Sequence, residues 1–141
     1  MAQTTTTAKK PRPGENMKLV EAMAYRLPPA GWVSILHRAS GLVMFVLLPF
    51  VIWMFDKSVT SEISFGEFTS VFRGGAGWFA KLVALGLIWA YLHHLIAGLR
   101  HLLMDVNHSA VTKEFGRSSA IFTLAASLLL TVALGIKLFF F

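Results

Sequence analysis

Three stretches of this chain, Ala39–Phe55, Leu82–Leu99 and Ser118–Ile136, contain no lysine, arginine, aspartate or glutamate. No other feature restricts the fold as strongly. Each stretch is close to the length an α-helix needs to cross roughly 30 Å of hydrocarbon. Four spans would not fit into 141 residues once connecting loops are counted. The expected fold is therefore an all-α membrane protein of three transmembrane helices, at about 32–55, 78–104 and 118–140, running up, down and up.

Composition supports this and removes other classes. Only 14% of residues are charged, too few for a soluble domain of this size. Cysteine is absent, which excludes disulfides and thiolate metal sites. The net charge of +6 could point to nucleic acid, but the basic residues sit in tails and loops beside the spans, so they report topology and no nucleic-acid partner is expected. Lys9, Lys10, Arg12, Lys18 and Arg26 precede the first span, and Lys113 and Arg117 lie between the second and third, with Arg100 just inside. The opposite side carries Lys57, Arg73, Lys81 and Lys137. This bias places the N-terminus and the 105–117 loop in the cytoplasm.

The first thirty residues lack the apolar run of a signal peptide, so the first span itself is expected to direct insertion. Residues 1–16 read as a flexible Thr-, Pro- and Lys-rich tail. Residues 17–31 read as a cytoplasmic amphipathic segment, with a short helix at Lys18–Tyr25 that ends before Pro28 and Pro29. Residues 32–141 form the anchor domain. The 57–77 segment reads as a loop, and its "RGGAG" ending is a flexible turn that lacks the Gly-Lys-Ser/Thr of a phosphate cradle.

The second span ends in "YLHHLIAGLRHLLMD", Tyr91–Asp105. Ionisable groups within a span are costly and default to functional candidates. On a wheel of 100° per residue, His94, Gly98, His101 and Asp105 share a stripe of roughly 60°, while His93 lies roughly 100° away with Ala97 and Arg100. The two adjacent histidines therefore cannot do the same job. His94 sits near mid-membrane, with a side-chain-free residue one turn away that lets a flat macrocycle or another backbone approach. That pattern fits an axial haem ligand, or a histidine hydrogen-bonded to a neighbouring helix with Gly98 as a packing notch. His93 reads as structural, at a lipid or partner interface. Asp105 can accept a hydrogen bond from His101, one turn back. His37 and His101 lie toward the cytoplasmic end and His108 in the loop, so no other histidine is expected at the depth of His94. A second axial ligand then has to come from a partner membrane chain.

The first span opens with "SILHRASG", Ser34–Gly41, in which Ser34, His37 and Gly41 occupy one arc with Arg38 at its edge. An antiparallel second span brings His101 and Asp105 to the same depth. Arg38 either snorkels to the headgroups or offers forked donors to anionic propionates. Ser34 and Arg38 can donate to a quinone carbonyl, and His37 or Asp105 can help with the protons that quinone reduction consumes.

These two blocks resemble the cytochrome b membrane-anchor subunit, the C-type subunit, of succinate dehydrogenase. The pattern S-x-x-H-R-x-S-G is met by Ser34, His37, Arg38, Ser40 and Gly41, and H-x-x-x-G-x-R-H-x-x-x-D by His94, Gly98, Arg100, His101 and Asp105. Arg12–Pro13 matches a basic-Pro element near that family's N-terminus. The resemblance implies that His94 is an axial ligand of haem b, with Gly98 giving clearance and with His37, Arg38 and His101 near the propionates. It implies a ubiquinone-binding pair at Ser34 and Arg38. It also implies a small D-type anchor subunit that supplies the other ligand, with flavoprotein and iron–sulfur subunits docked on the cytoplasmic face. This subunit would anchor the complex in a bacterial inner membrane, or the mitochondrial inner membrane of a eukaryote, and pass electrons from succinate to ubiquinone in the tricarboxylic acid cycle without covalent chemistry of its own. The competing readings are an anchor of a menaquinone-linked fumarate reductase, a small transporter using the His94–His101–Asp105 line, and a haem-free scaffold.

Overall fold

The structure, a computed structural model, describes residues 26–140 apart from the side chains of His108 and Ser109. Four helices follow one another: α1 (Pro29–Val59), α2 (Glu62–Arg73), α3 (Gly77–Val106) and α4 (Lys113–Phe140), with a 3-10 turn at His108–Val111. α1, α3 and α4 are long and apolar enough to cross a membrane. Their directions follow from which residues meet. His37 of α1 lies against His94 and His101 of α3, while Met54, near the other end of α1, shares a cavity wall with Ala80 and Val83. Arg100 reaches Ser119 of α4, and Leu85 lies against Gly135. α3 is thus antiparallel to both partners, and the spans run up, down and up. The expected tail, the Lys18–Tyr25 helix and the Arg12–Pro13 pair lie outside the described residues.

The helices extend beyond the apolar runs because hydropathy marks the hydrocarbon, not the end of hydrogen bonding. α1 begins at Pro29, ahead of its expected start. Pro28 is extended, and a proline in the first turn lacks only an N–H that has no intrahelical acceptor anyway. α4 begins at Lys113, five residues before its apolar stretch.

The segment expected as a loop at 57–77 contains α2. Ser61 and Ser64 form a reciprocal capping box: Ser61 Oγ accepts from the Ser64 N–H at 3.1 Å, and Ser64 Oγ accepts from the Ser61 N–H at 2.9 Å. Glu62 stands in the first turn, where the helix dipole favours an acid. Along one side Phe65 stacks on Phe68 with centroids 5.9 Å apart, and Phe68 meets Phe72 edge to face at 5.4 Å. Lys57 Nζ donates to Glu67 at 2.8 Å, tying α2 back to the end of α1. At the following corner, a Cβ on Gly77 would meet the Phe72 carbonyl oxygen, so only glycine fits.

The packing is inverted relative to a soluble protein. The buried apolar centre is small, with Val33, Ala97 and Ala120 packed by Ala30 and Leu124. Phe45, Val46, Phe122 and Leu129 are 65–74% exposed. Lipid is the natural neighbour of those outward faces, while helix association rests on close packing and polar contacts. α4 accordingly buries Ala120, Thr123, Ser127, Thr131 and Gly135, all small and spaced three or four apart. Thr123 and Thr131 return their hydroxyl protons to carbonyls four residues back, and Ser127 to Leu124 three back, so these polar groups need no water.

Candidate functional site

Two faces of α3 carry different chemistry. The face packed inside the bundle holds Ala90, His93, Ala97 and Arg100. Arg100 donates from Nε to Ser119 Oγ at 2.9 Å and from Nη2 to the Gly116 carbonyl at 3.1 Å, fastening the C-terminal end of α3 to the start of α4. His93 is fully buried, with Nδ1 3.2 Å from Ser127 Oγ and its ring stacked on Trp89 at 5.5 Å. The expectation of His93 at a lipid or partner interface is therefore corrected. A buried imidazole needs a hydrogen-bond partner, and a hydroxyl on α4 supplies one inside the bundle, whereas the lipid side offers none.

The second face meets α1. The rings of His94 and His37 stack with centroids 4.0 Å apart and planes 19° from parallel, and His37 lies 5.3 Å from the ring of His101. This overturns the expectation that no other histidine lies at the depth of His94. His94 Nδ1 is 3.0 Å from the main-chain carbonyl of His37 and 3.3 Å from Ser40 Oγ. A carbonyl can only accept, so Nδ1 carries the proton. Ser40 gives its own hydroxyl proton to the same carbonyl at 2.8 Å, which leaves its oxygen to share the His94 proton. In the neutral ring Nε2 is then a bare lone pair, and no described residue hydrogen-bonds to it. Gly41 makes this possible. A Cβ there would stand 2.9 Å from His94 Cε1. Gly98 is looser, because its Cβ would meet only His37 Nε2 at an ordinary 3.6 Å.

The remaining expected site residues are assembled in part. Ser34 is half-buried and Arg38 exposed, on the turns of α1 that flank His37, and neither hydrogen-bonds to another described residue. His101 is half-buried, Asp105 is exposed, and the hydrogen bond expected between them is absent among the described residues. No three His, Asp or Glu side chains among the described residues converge in metal-holding geometry. An apolar cavity of about 590 Å³ lies at the other end of the α1–α3 seam, lined by Phe50, Met54, Phe68, Phe79, Val83 and Leu87, away from the histidines.

Sequence reasoning gave no role to Ser40, Gly41 or Ser127. Ser40 and Gly41 fell inside the motif, and the small-residue spacing along α4 was the available signal for Ser127. Comparison with known proteins identifies the family. Residues 15–134 match the family described as the succinate dehydrogenase/fumarate reductase transmembrane subunit. The chain is 32% identical over 117 residues to the succinate dehydrogenase cytochrome b556 subunit of Paracoccus denitrificans, covering 83% of this chain and 87% of that one. It is 33% identical over 112 residues to the subunit of the same name from Coxiella burnetii, covering 79% and 87%. The chain is thus an integral membrane protein, and it belongs to the succinate dehydrogenase/fumarate reductase transmembrane subunit family.

Proposed function

We propose that this chain anchors a succinate:ubiquinone oxidoreductase, holds one side of haem b through His94, and forms part of the quinone pocket with Ser34 and Arg38. The observation that carries the reading is the His94 Nδ1 contact with the His37 carbonyl, which fixes the tautomer and leaves Nε2 as the free donor atom. Metal-bound histidines ordinarily have their second nitrogen tied in this way. The residues present therefore fit the group. When bound, haem b supplies a one-electron redox centre.

His37 is not the opposing ligand in this arrangement. Ring lone pairs lie in the ring planes, so two nearly parallel stacked imidazoles direct them alongside each other and not across a common iron. A second haem ligand would come from a small D-type anchor subunit. Arg38, with His37 and His101, offers the cationic and hydrogen-bonding side for propionates. Gly98 keeps the surface beside His94 low.

Ser34 and Arg38 have donors uncommitted to other described residues, suited to a quinone carbonyl. His37 or Asp105 delivers protons, since each quinone takes up two electrons and two protons on becoming a quinol. Flavoprotein and iron–sulfur partners on the cytoplasmic side oxidise succinate and deliver those electrons. Family membership sets the transporter reading aside.

The test uses membranes containing the assembled complex. His94→Ala abolishes the haem b α-band of the dithionite-reduced spectrum, and retention of that band overturns the ligand assignment. Ser34→Ala and Arg38→Ala each cut quinone reduction while succinate-to-dye activity survives. A parallel fall of both activities transfers the effect to assembly and removes the quinone assignment.

A further inference from the structure

We infer that His93 is a positioning residue for His94: by binding Ser127 it sets the rotation of α3 and so the direction of the His94 lone pair. The inference rests on His94 being the haem ligand. Consecutive residues project about 100° apart. His93 is fastened to α4 through Ser127 at 3.2 Å, and His94 to α1 through the His37 carbonyl at 3.0 Å. Arg100 ties the C-terminal end of α3 to α4 about two turns away, so what the His93 contact adds is a hold on α4 at the depth of His94 itself, opposed to the His94 contact on α1. The tip of a side chain lies roughly 5–6 Å from the helix axis, so a roll of about 20° sweeps a ring nitrogen through about 2 Å. That is enough to break a 3.0 Å hydrogen bond and re-aim Nε2.

The protons agree with a directed contact. Ser127 gives its hydroxyl proton to the Leu124 carbonyl at 3.1 Å, so its oxygen is open to accept from His93 in the tautomer that carries the proton on Nδ1. His93 Nε2 then has no partner in hydrogen-bond geometry among the described residues, although it is fully buried and the main chain of Val33 on α1 lies beside the ring. A residue chosen only to fill space would not bring a polar ring into the bundle, since an apolar side chain fills the same volume without burying ring nitrogens. Retaining an imidazole here favours the Nδ1 contact as its purpose. Trp89 stacked on the ring limits its swing.

The experiment compares His93→Leu, His93→Asn and Ser127→Ala in the purified, haem-loaded complex, reading the haem midpoint potential and the low-spin electron paramagnetic resonance signal per haem. Leucine keeps the bulk and loses the bond, while asparagine places an N–H near the Nδ1 position. His93→Leu and Ser127→Ala are expected to shift both readouts, and His93→Asn to restore them toward the unsubstituted protein. Unshifted readouts in Ser127→Ala overturn the inference, as does identical behaviour of the leucine and asparagine variants. Should His93→Leu fail to assemble, Ser127→Ala, which removes one hydroxyl, decides alone. His94→Ala run alongside separates the two claims, because retained haem there defeats the ligand reading whatever His93 does.

Discussion

A single methyl group at position 41 is expected to undo the His94 geometry. The new Cβ of Gly41→Ala would lie 2.9 Å from His94 Cε1 and 3.3 Å from Nδ1, and that ring is already held by the His37 carbonyl. Overpacking of this kind costs about 1–3 kcal/mol. The haem-to-protein ratio of the purified complex should fall while subunit content holds, and an unchanged ratio would refute the role given to Gly41. Gly98→Ala makes the contrasting case. Its Cβ makes only ordinary contact, so the stability of the haem-free assembly should stay within about 0.5 kcal/mol. If Gly98 clears room for the macrocycle, haem content still drops, and full haem content there removes that role. At this scale the sequence was informative about direction around a helix and silent about sliding along it. The 100° step separated His93 from His94, and each indeed has a different neighbouring helix. The stack of His37 on His94 was illegible, because the axial offset of two helices is encoded in neither one's periodicity. The acceptor for His94 was illegible too, since main-chain carbonyls carry no residue signature.

Among the elements, α3 and α4 depend on one another most visibly at Arg100. Its two hydrogen bonds are charge-assisted and partly buried, each worth about 1.5–3 kcal/mol. Arg100→Ala is expected to lower the yield of assembled complex sharply. Arg100→Lys should recover little of it, because an ammonium cannot reproduce the planar fork that spans Ser119 and Gly116. Size-exclusion chromatography of detergent-solubilised membranes gives the comparison, and equal yields of all three proteins count against the fastening role. α2 rests on its cap. Ser61→Ala removes the acceptor for the Ser64 N–H and should cost about 0.5–2 kcal/mol, read as faster amide exchange confined to Glu62–Arg73. The exposed Lys57–Glu67 pair should contribute little, because water screens it. The three long helices were legible because membrane thickness imposes a length on apolar runs. α2 was not, since a glycine at 66 and two serines forming a capping box without Glu or Gln resemble loop composition.

For the whole molecule, exposed Phe, Leu and Val surround a core of small and hydroxylated residues, so helix association inside the bilayer gains little from apolar burial. Enlarging the α4 stripe should separate the bundle more readily than polar substitution on its outer face at the membrane edges. The orientation assigned from Lys and Arg placement is open to a direct measurement, because the chain has no cysteine. An impermeant maleimide applied to intact spheroplasts should label Gly66→Cys on α2 and spare Thr112→Cys between α3 and α4. The reverse pattern inverts the topology and moves the histidine cluster to the opposite leaflet.

The acceptor that holds His94 belongs to the main chain of residue 37. No substitution at that position can delete a carbonyl, so this contact is insulated from drift in the side chain that lies beside it. What drift can take away is the empty space at Gly41, or the hydroxyl of Ser40. If His94 is the haem ligand, its vulnerability is thereby displaced onto Ser40 and Gly41, and inherited loss of the cofactor would be sought there first.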